Sequence, residues 1–251
     1  MKSKLQGRDW TLEPWDERLQ VRIDGQKSSQ EIAGEIAEES PVVMLAFSTG
    51  KDAICSWLAL RDRVEVRPFY AYLIPDLEFV EDSLAYYEKF FGTRIARVPH
   101  PSLYRWINEM VFVPPERCAI VEELALPTFE FADIYRGLRE DWGLEDGALA
   151  ATGVRAADSP VRRIHFSRTG GVNWRSRVAY PIWDWRSAKL GEEMKRAGVK
   201  LPVDYRIFGR SFDGMDYRFL KPIKENFPRD FERILEWFPL AEAEIYRGER
   251  L

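Results

Sequence analysis

Residues 41–52 read PVVMLAFSTGKD, and this stretch is the strongest indication of the fold class. Its first part, residues 41–47, is an apolar run without the alternation of a half-exposed strand, which is typical of a strand covered on both faces in a parallel sheet. The run stops at Ser48-Thr49-Gly50, and residues 53–61 resume with apolar side chains at helical spacing. The stretch therefore predicts a buried strand, a short loop and a helix.

The same alternation of strand and helix continues along the chain. Further strands are predicted at residues 67–73, 94–98, 148–154 and 178–182, and helices at 30–39, 77–91, 102–147 (with interruptions), 186–196 and 229–238. This order predicts an α/β fold, a three-layer sandwich with a mostly parallel twisted sheet and helical N- and C-terminal extensions. We divide it into an N-terminal extension (1–40), a central domain (41–187) and a C-terminal helical or irregular subdomain (188–251). The arginine-rich stretch around Gly170-Gly171 is predicted to be a long functional loop or a disordered one.

The composition predicts a globular protein without an overall basic surface. Apolar residues make up 45% of the 251 residues, the formal net charge is -4 and the pI is about 5.5. The sequence has no apolar run long enough to span a membrane and no leader with a cleavage site, so we expect a cytoplasmic protein with no membrane partner.

The few cysteines and histidines exclude several kinds of site. Cys55 and Cys118 are the two cysteines, and they cannot supply the four ligands of an iron-sulfur cluster or a zinc site. His100 and His165 are the two histidines, and nothing near either one completes a catalytic triad. We therefore expect no iron-sulfur cluster and no zinc, and in a cytoplasmic protein we also expect no disulfide.

The loop Ser48-Thr49-Gly50-Lys51-Asp52 has the residues of an anion site. At the start of a helix, backbone N–H groups and the helix dipole favour an anion, Gly50 permits close approach, and Lys51 adds a positive charge. Asp52 would repel a phosphate unless it caps the helix or binds Mg²⁺. The spacing is not that of a Walker A loop. The alternative is an ordinary strand-to-helix turn capped by Asp52.

Three motifs in order carry a family resemblance. Phe47-Ser48-Thr49-Gly50-Lys51-Asp52, the segment GVRAADSPVR at 153–162 and PIWDW at 181–185 resemble the SxGKD, GxRxxESxxR and PIxxW segments of the PP-loop superfamily, in particular the phosphoadenosine-phosphosulfate (PAPS) reductase-like family. The resemblance covers residues 41 to about 205. It implies that residues 41–187 are a nucleotide-binding domain with an adenine nucleotide alpha hydrolase-like fold, and that ATP and Mg²⁺ are the expected ligands.

The second and third motifs add candidate site residues. Gly153 and Arg155 follow a predicted strand, and Arg155 and Arg162 could neutralise phosphate oxygens. The alternative is a solvated arginine run with Asp158 as an intrachain partner; Asp158 also stands where the family has Glu. Asp184, between two tryptophans, is expected to face a ligand or an arginine. The tryptophans could line an adenine ring or belong to the core.

The family resemblance also indicates which reaction to expect. Its reductase branch needs a cysteine near the C-terminus, and no cysteine follows Cys118. We therefore expect an ATP pyrophosphatase that adenylylates an unknown acceptor, with Lys51, Arg155, Asp158 and Arg162 as catalytic residues. The alternatives are a non-catalytic nucleotide-binding module and a nucleic-acid modification enzyme. Residues 162–177 are a candidate docking surface for a nucleic acid or a protein, and a homo-oligomer is also compatible with the sequence.

Overall fold

The computed structural model describes residues 14–250, so residues 1–13 of the predicted N-terminal extension lie outside the described residues. The strands are β1 (Val42–Ala46), β2 (Glu65–Tyr72), β3 (Ala96–Pro99), β4 (Leu149–Ala151), β5 (Val172–Asn173) and β6 (Val178–Ala179). The helices are α1 (Ser29–Glu39), α2 (Lys51–Leu60), α3 (Glu78–Phe91), α4 (Pro101–Asn108), α5 (Pro115–Leu124), α6 (Phe131–Asp141), α7 (Pro160–Thr169), α8 (Ser187–Ala197), α9 (Val203–Phe208), α10 (Tyr217–Asn226), α11 (Pro228–Trp237) and α12 (Glu242–Gly248).

The strands form one mostly parallel sheet in the order β3-β2-β1-β4-β6-β5. Strand β1 lies inside the sheet and pairs in parallel with β2 and β4, so that Val43 is opposite both Val66 and Leu149. Its residues Val43, Met44 and Leu45 are fully buried, as the unbroken apolar run predicts. Strand β6 is parallel to β4, and β5 is antiparallel to β6. The predicted α/β class with a mostly parallel sheet is confirmed.

The strand order changes direction between β1 and β4. From β1 the chain proceeds outward to β2 and β3, and it then returns to the opposite side of β1 as β4. In open α/β sheets, such a switch point opens a crevice at the carboxyl ends of the two strands, where ligands bind. The loop after β1 (residues 47–50) and the segment after β4 (152–155) flank this point. Both carry predicted site residues.

The chain divides into two compact units. The first contains the residues up to Phe69 together with Tyr135–Lys200, and the second contains Tyr70–Ile134 together with the residues from Leu201 on. Within the second unit, the ring of Phe79 stacks on Phe227 at 4.9 Å between ring centroids. The three-segment division into 1–40, 41–187 and 188–251 stays a prediction.

The arginine-rich stretch is the largest error in the predicted elements. Instead of a loop, residues 160–169 form α7, and residues 172–179 form a β-hairpin. Ser159 caps the helix by accepting a hydrogen bond from the Arg162 N–H, and Pro160 occupies the first helical position. Phe166 anchors α7 because its fully buried ring packs against Tyr180. Ser159-Pro160 was the sequence signal for this helix.

Helix α1 also begins differently from the prediction. It starts at Ser29, one residue before the predicted helix at 30–39, and Ser28 is its N-cap, joined to Glu31 by a capping box. At the end of α3, Gly92 adopts a left-handed φ of 68°, as expected for a residue that ends a helix. No helix among residues 14–250 is both long enough and apolar enough to cross a membrane.

Candidate functional site

The loop between β1 and α2 presents backbone donors at a helix start. Gly50 is the N-cap of α2 in an extended conformation, and no side chain caps the helix. The N–H groups of a first helical turn have no intrahelical acceptor, and they lie at the positive end of the helix dipole. The turn can therefore donate hydrogen bonds to an anion. The alternative in which Asp52 caps this helix is not what the structure shows.

Thr49 adopts an unfavourable backbone conformation in this loop. Its φ is 59°, a left-handed value that is rare for a β-branched residue. Its buried hydroxyl donates to the Ser48 carbonyl at 2.6 Å. Such strain costs about 1–3 kcal/mol and concentrates at ligand-binding turns. Phe47, in contrast, is buried in the core, and its N–H donates to Phe69. Ser48 is the exposed hydroxyl of the loop.

Five charged side chains form an alternating row, which we call the charge chain: Lys51, Asp52, Arg155, Asp158 and Arg162. The Lys51 Nζ lies 2.9 Å from Asp52 Oδ2, and Asp52 Oδ1 lies 2.7 Å from Arg155 Nε. The row continues with Arg155 Nη2 to Asp158 Oδ1 at 2.7 Å and Asp158 Oδ2 to Arg162 Nη1 at 2.6 Å. Three cations and two carboxylates leave one net positive charge at the carboxyl ends of β1 and β4.

The members of the charge chain differ in their access to a ligand. The side chain of Arg155 is 4% exposed, whereas those of Lys51 and Arg162 are 37% and 47% exposed. Arg155 also donates through Nη1 to the Trp185 carbonyl at 3.3 Å. Its Nε contact with Asp52 is close, yet its direction does not give a hydrogen bond. Lys51 and Arg162 are therefore the cations that can turn toward a bound anion, while Arg155 holds the two carboxylates in place.

Asp52 is the member of the charge chain that fits a magnesium ion. Mg²⁺ is usually held by one or two carboxylates together with substrate phosphates. The partly exposed carboxylate of Asp52 can supply one such ligand once Lys51 turns to a phosphate. Within residues 14–250, no three His, Cys, Asp or Glu side chains converge as a metal site. A metal ion held here would take one carboxylate from Asp52 and its other ligands from a bound phosphate or from water.

Gly153 permits the close contact between the segment after β4 and the first turn of α2. A Cβ at this position would lie 2.8 Å from the backbone carbon of Asp52 and 2.9 Å from its carbonyl oxygen. Real Cβ atoms do not approach backbone so closely, so the segment after β4 can pass the first turn of α2 only with glycine here. The structural role of Gly153 is to bring Arg155 within reach of Asp52.

The segment PIWDW at 181–185 accepts hydrogen bonds from Arg155 and its neighbour Ala156. The Trp183 carbonyl accepts from the Ala156 N–H at 2.7 Å, and the Trp185 carbonyl accepts from Arg155. Both indole rings are buried, and Trp185 Nε1 donates to Ser29 Oγ at 2.9 Å. The sequence left two roles for these tryptophans, an adenine-lining wall or the core. Their burial agrees with a place in the core.

Asp184 has contacts that the sequence did not indicate. Its Oδ2 accepts from Gln20 Nε2 and from the Ser29 N–H, each at 3.1 Å, so it lies at the start of α1. Burial raises the pKa of this carboxyl group, although the hydrogen bonds from Ser29 and the charge of Lys189 oppose the rise. The expected arginine does not appear among its hydrogen-bond or ion-pair partners within residues 14–250. Gln20 is 164 positions away, so no local pattern could reveal the pair.

The structure divides residues 162–177 between two edges of the sheet. Arg162 lies in the first turn of α7, after β4, at the edge of the sheet that carries the loop 48–52. Arg175 and Arg177 precede β6, which is parallel to β4, and therefore lie at the opposite edge. His165 is half-buried against Tyr180. The segment does not form one continuous cationic platform.

Cys55 does not have the environment of a reactive thiol. Cys55 is fully buried in α2, with its Sγ 3.6 Å from the Leu190 carbonyl. Burial and the charge of Asp52 raise the pKa of the Cys55 thiol to about 12. A thiol with such a pKa is not a thiolate near neutral pH. Cys118 is half-buried in α5, with its Sγ 3.6 Å from the Pro114 carbonyl.

Comparison with known proteins gives little beyond a distant structural likeness. No family model matches the sequence, and no curated protein matches it either. Among solved structures, the NH3-dependent NAD synthetase from Campylobacter jejuni subsp. jejuni NCTC 11168, in complex with the nitrate ion, is similar with a TM-score of 0.41 and 13% identity. The match covers 88% of this chain and 97% of that chain. The PAPS reductase-like resemblance stays a prediction, and the function is inferred from the residues of the site.

Proposed function

We propose that this protein binds ATP, or a related adenine nucleotide, with Mg²⁺ and transfers an adenylyl group to an acceptor, releasing pyrophosphate. The observation that carries the proposal is the charge chain at the switch point between β1 and β4. It lies beside an uncapped helix start, where an anion is stabilised by backbone donors. The strained backbone of Thr49 is a second feature typical of a ligand-binding turn.

The proposed reaction uses the charge chain without a covalent intermediate on the protein. An oxygen of the acceptor attacks the α-phosphorus, the bond from that phosphorus to the bridging oxygen breaks, and pyrophosphate leaves with the electron pair. The acceptor proton passes to solvent. Lys51 and Arg162 exchange their carboxylate partners for phosphate oxygens and stabilise the added negative charge. Mg²⁺, when bound, neutralises a further part of the triphosphate charge.

Asp52 and Asp158 have positioning roles in this proposal. Each carboxylate joins buried Arg155 to one exposed cation, so each holds that cation near the site before the nucleotide arrives. When the two cations turn away, both carboxylates keep their contact with Arg155, and Mg²⁺ bound at Asp52 would compensate the second negative charge. The exchange therefore does not leave an unpaired buried charge, which would be costly.

A second candidate function is nucleotide binding without turnover. Arg155 contacts two carboxylates and a carbonyl oxygen, so it has little capacity left for a phosphate. If the reaction requires Arg155 at the phosphorus, the chain is a binding module. Tight ATP binding in calorimetry, without turnover in any acceptor screen, would favour this candidate.

The test combines calorimetry with ATP–pyrophosphate exchange. Lys51→Ala and Arg162→Ala should each weaken binding of ATP-Mg by roughly 10- to 100-fold, since a hydrogen bond to a charged group contributes about 1.5–3 kcal/mol. Lys195→Ala removes an exposed cation from α8 and should change neither readout. Exchange is measured with carboxylic acids, nucleosides and RNA as acceptors. The assignment fails if Lys51→Ala binds ATP as the unaltered protein does. Sulfite formation from PAPS with a thioredoxin system would instead indicate reductase chemistry.

A further inference from the structure

Helix α7 carries an uncovered apolar and basic face. Val161 and Ile164 are 76% and 54% exposed, and Arg168 follows on the same side of the helix at i+4 from Ile164. Arg162 and Arg163 lie on other sides of the same helix, which contains no carboxylate. Two neighbouring exposed aliphatic side chains next to a cation form a small amphipathic face that a partner can cover. The face fits a partner that is apolar and acidic.

Helix α5 carries the matching face. Ile120 and Leu124 are 57% and 61% exposed, and Glu116 lies one turn before Ile120. Glu122 and Glu123 are also exposed, and Arg117 is the single basic residue of the helix. The side chains of α5 therefore sum to a net negative charge, whereas those of α7 sum to a positive one. Both helices have ten residues.

We infer that α7 of one copy packs against α5 of a second copy of this chain. Both faces are exposed in the single chain, so neither is occupied within it. An antiparallel arrangement places Arg168 opposite Glu116, Ile164 opposite Ile120 and Val161 opposite Leu124. A parallel arrangement would place Val161 opposite Glu116, which pairs an aliphatic side chain with a charge. The spacing therefore selects the antiparallel pair.

The contact is small. Two ten-residue helices, each about 15 Å long, cover less than the roughly 1,200–2,000 Å² of a stable complex. A twofold dimer would form the contact twice and close the assembly. The expected state is a reversible, concentration-dependent dimer, whose affinity falls as salt screens the charged rim. This inference does not depend on the proposed adenylyl transfer.

Sedimentation velocity over roughly 1–100 µM tests the contact, since that range suits a small, transient interface. Ile164→Asp and Arg168→Glu should each weaken dimerisation by at least about tenfold, because each introduces an unfavourable charge into the contact. Lys195→Glu makes the same charge reversal on α8 and should leave the dimer unchanged. Circular dichroism and the thermal midpoint verify that each variant folds.

The reciprocal exchange separates this contact from any other. Glu116→Arg alone should weaken the dimer, and Glu116→Arg combined with Arg168→Glu should restore it, because the opposite-charge pair is rebuilt. A monomer over the whole concentration range would overturn the inference. A dimer that Ile164→Asp does not affect would also overturn it, as would a double variant no tighter than its single variants.

Discussion

Gly153 is where a single residue has the clearest effect on the site. In Gly153→Ala, the new Cβ would meet backbone of Asp52 at under 3 Å, and backbone cannot turn aside as a side chain can. We expect a loss of about 1–3 kcal/mol in the free energy of unfolding, as for other overpacked positions. The shift of Asp52 should also weaken ATP binding. Urea denaturation and calorimetry measure the two effects.

Gly191 provides the matched control for this substitution. It lies within α8, and a Cβ there would meet nothing within 4 Å. Gly191→Ala should stabilise the protein by up to about 1 kcal/mol, because alanine favours a helix more than glycine does. Equal effects of the two substitutions would show that Gly153 is not held against Asp52.

The N-cap of helix α4 should make the stability of the protein depend on pH. His100 is its N-cap, and the ring Nδ1 accepts from the Ser102 N–H at 3.0 Å, which requires that nitrogen to be unprotonated. Burial and the nearby charge of Arg105 lower the pKa of His100 below 6.5. Between the folded-state pKa and 6.5 the unfolded chain binds the proton and the folded chain does not. Stability should therefore fall as pH decreases through this window and level off below it.

His100→Asn tests the dependence, since asparagine is a good N-cap that does not titrate. The free energy of unfolding is measured by urea denaturation of both proteins from about pH 7.5 to about pH 5, around the ordinary histidine pKa. The advantage of the unaltered protein over the variant should shrink with decreasing pH. Parallel curves would show that the cap is not coupled to protonation.

Elements were predictable where the determining contacts are local. The apolar run 42–46 and the spacing of α3 reveal their burial in the sequence itself, so β1 and α3 match their predicted places within a residue or two. Helix α7 was missed because five arginines and two glycines near residues 162–177 resemble a loop. Its stability depends on Phe166, whose partners Tyr180 and Trp183 come later in the chain.

At the site, the residues could be predicted from the sequence, but their contacts could not. The loop, Arg155 and Arg162 could be selected from sequence because charged residues after parallel strands meet at one edge. Their pairing into a charge chain could not, because Asp52 and Arg155 are about a hundred positions apart and either carboxylate could have faced solvent. The roles of Gln20 and Ser29 beside Asp184 also depend on distant contacts.

Asp184 connects segments from both ends of the first compact unit. Gln20, Ser29 and the Val21 N–H all bond to this residue, the last to its carbonyl oxygen at 2.6 Å. Asp184→Ala removes the side-chain acceptor and leaves the Gln20 amide and the Ser29 N–H without it. We expect a loss of about 1–3 kcal/mol in the free energy of unfolding, the cost of an unsatisfied buried donor. The exposed Asp24→Ala should change stability by less than about 0.5 kcal/mol.

Asp184→Asn distinguishes the hydrogen bonds from the charge. The amide oxygen can still accept, while the ionised form, which burial disfavours, no longer exists. Burial raises the folded-state pKa of Asp184 above the ordinary value of 3.8. This carboxyl group therefore favours folding fully below pH 3.8, and that contribution is lost as pH rises through the folded-state pKa. Asparagine should remove this decline and cost less at neutral pH than alanine. Denaturation curves across the acidic range separate the two effects. If both variants lose equal stability and keep the pH dependence of the unaltered protein, the carboxyl group of Asp184 does not hold the N-terminal segment in place through its hydrogen bonds.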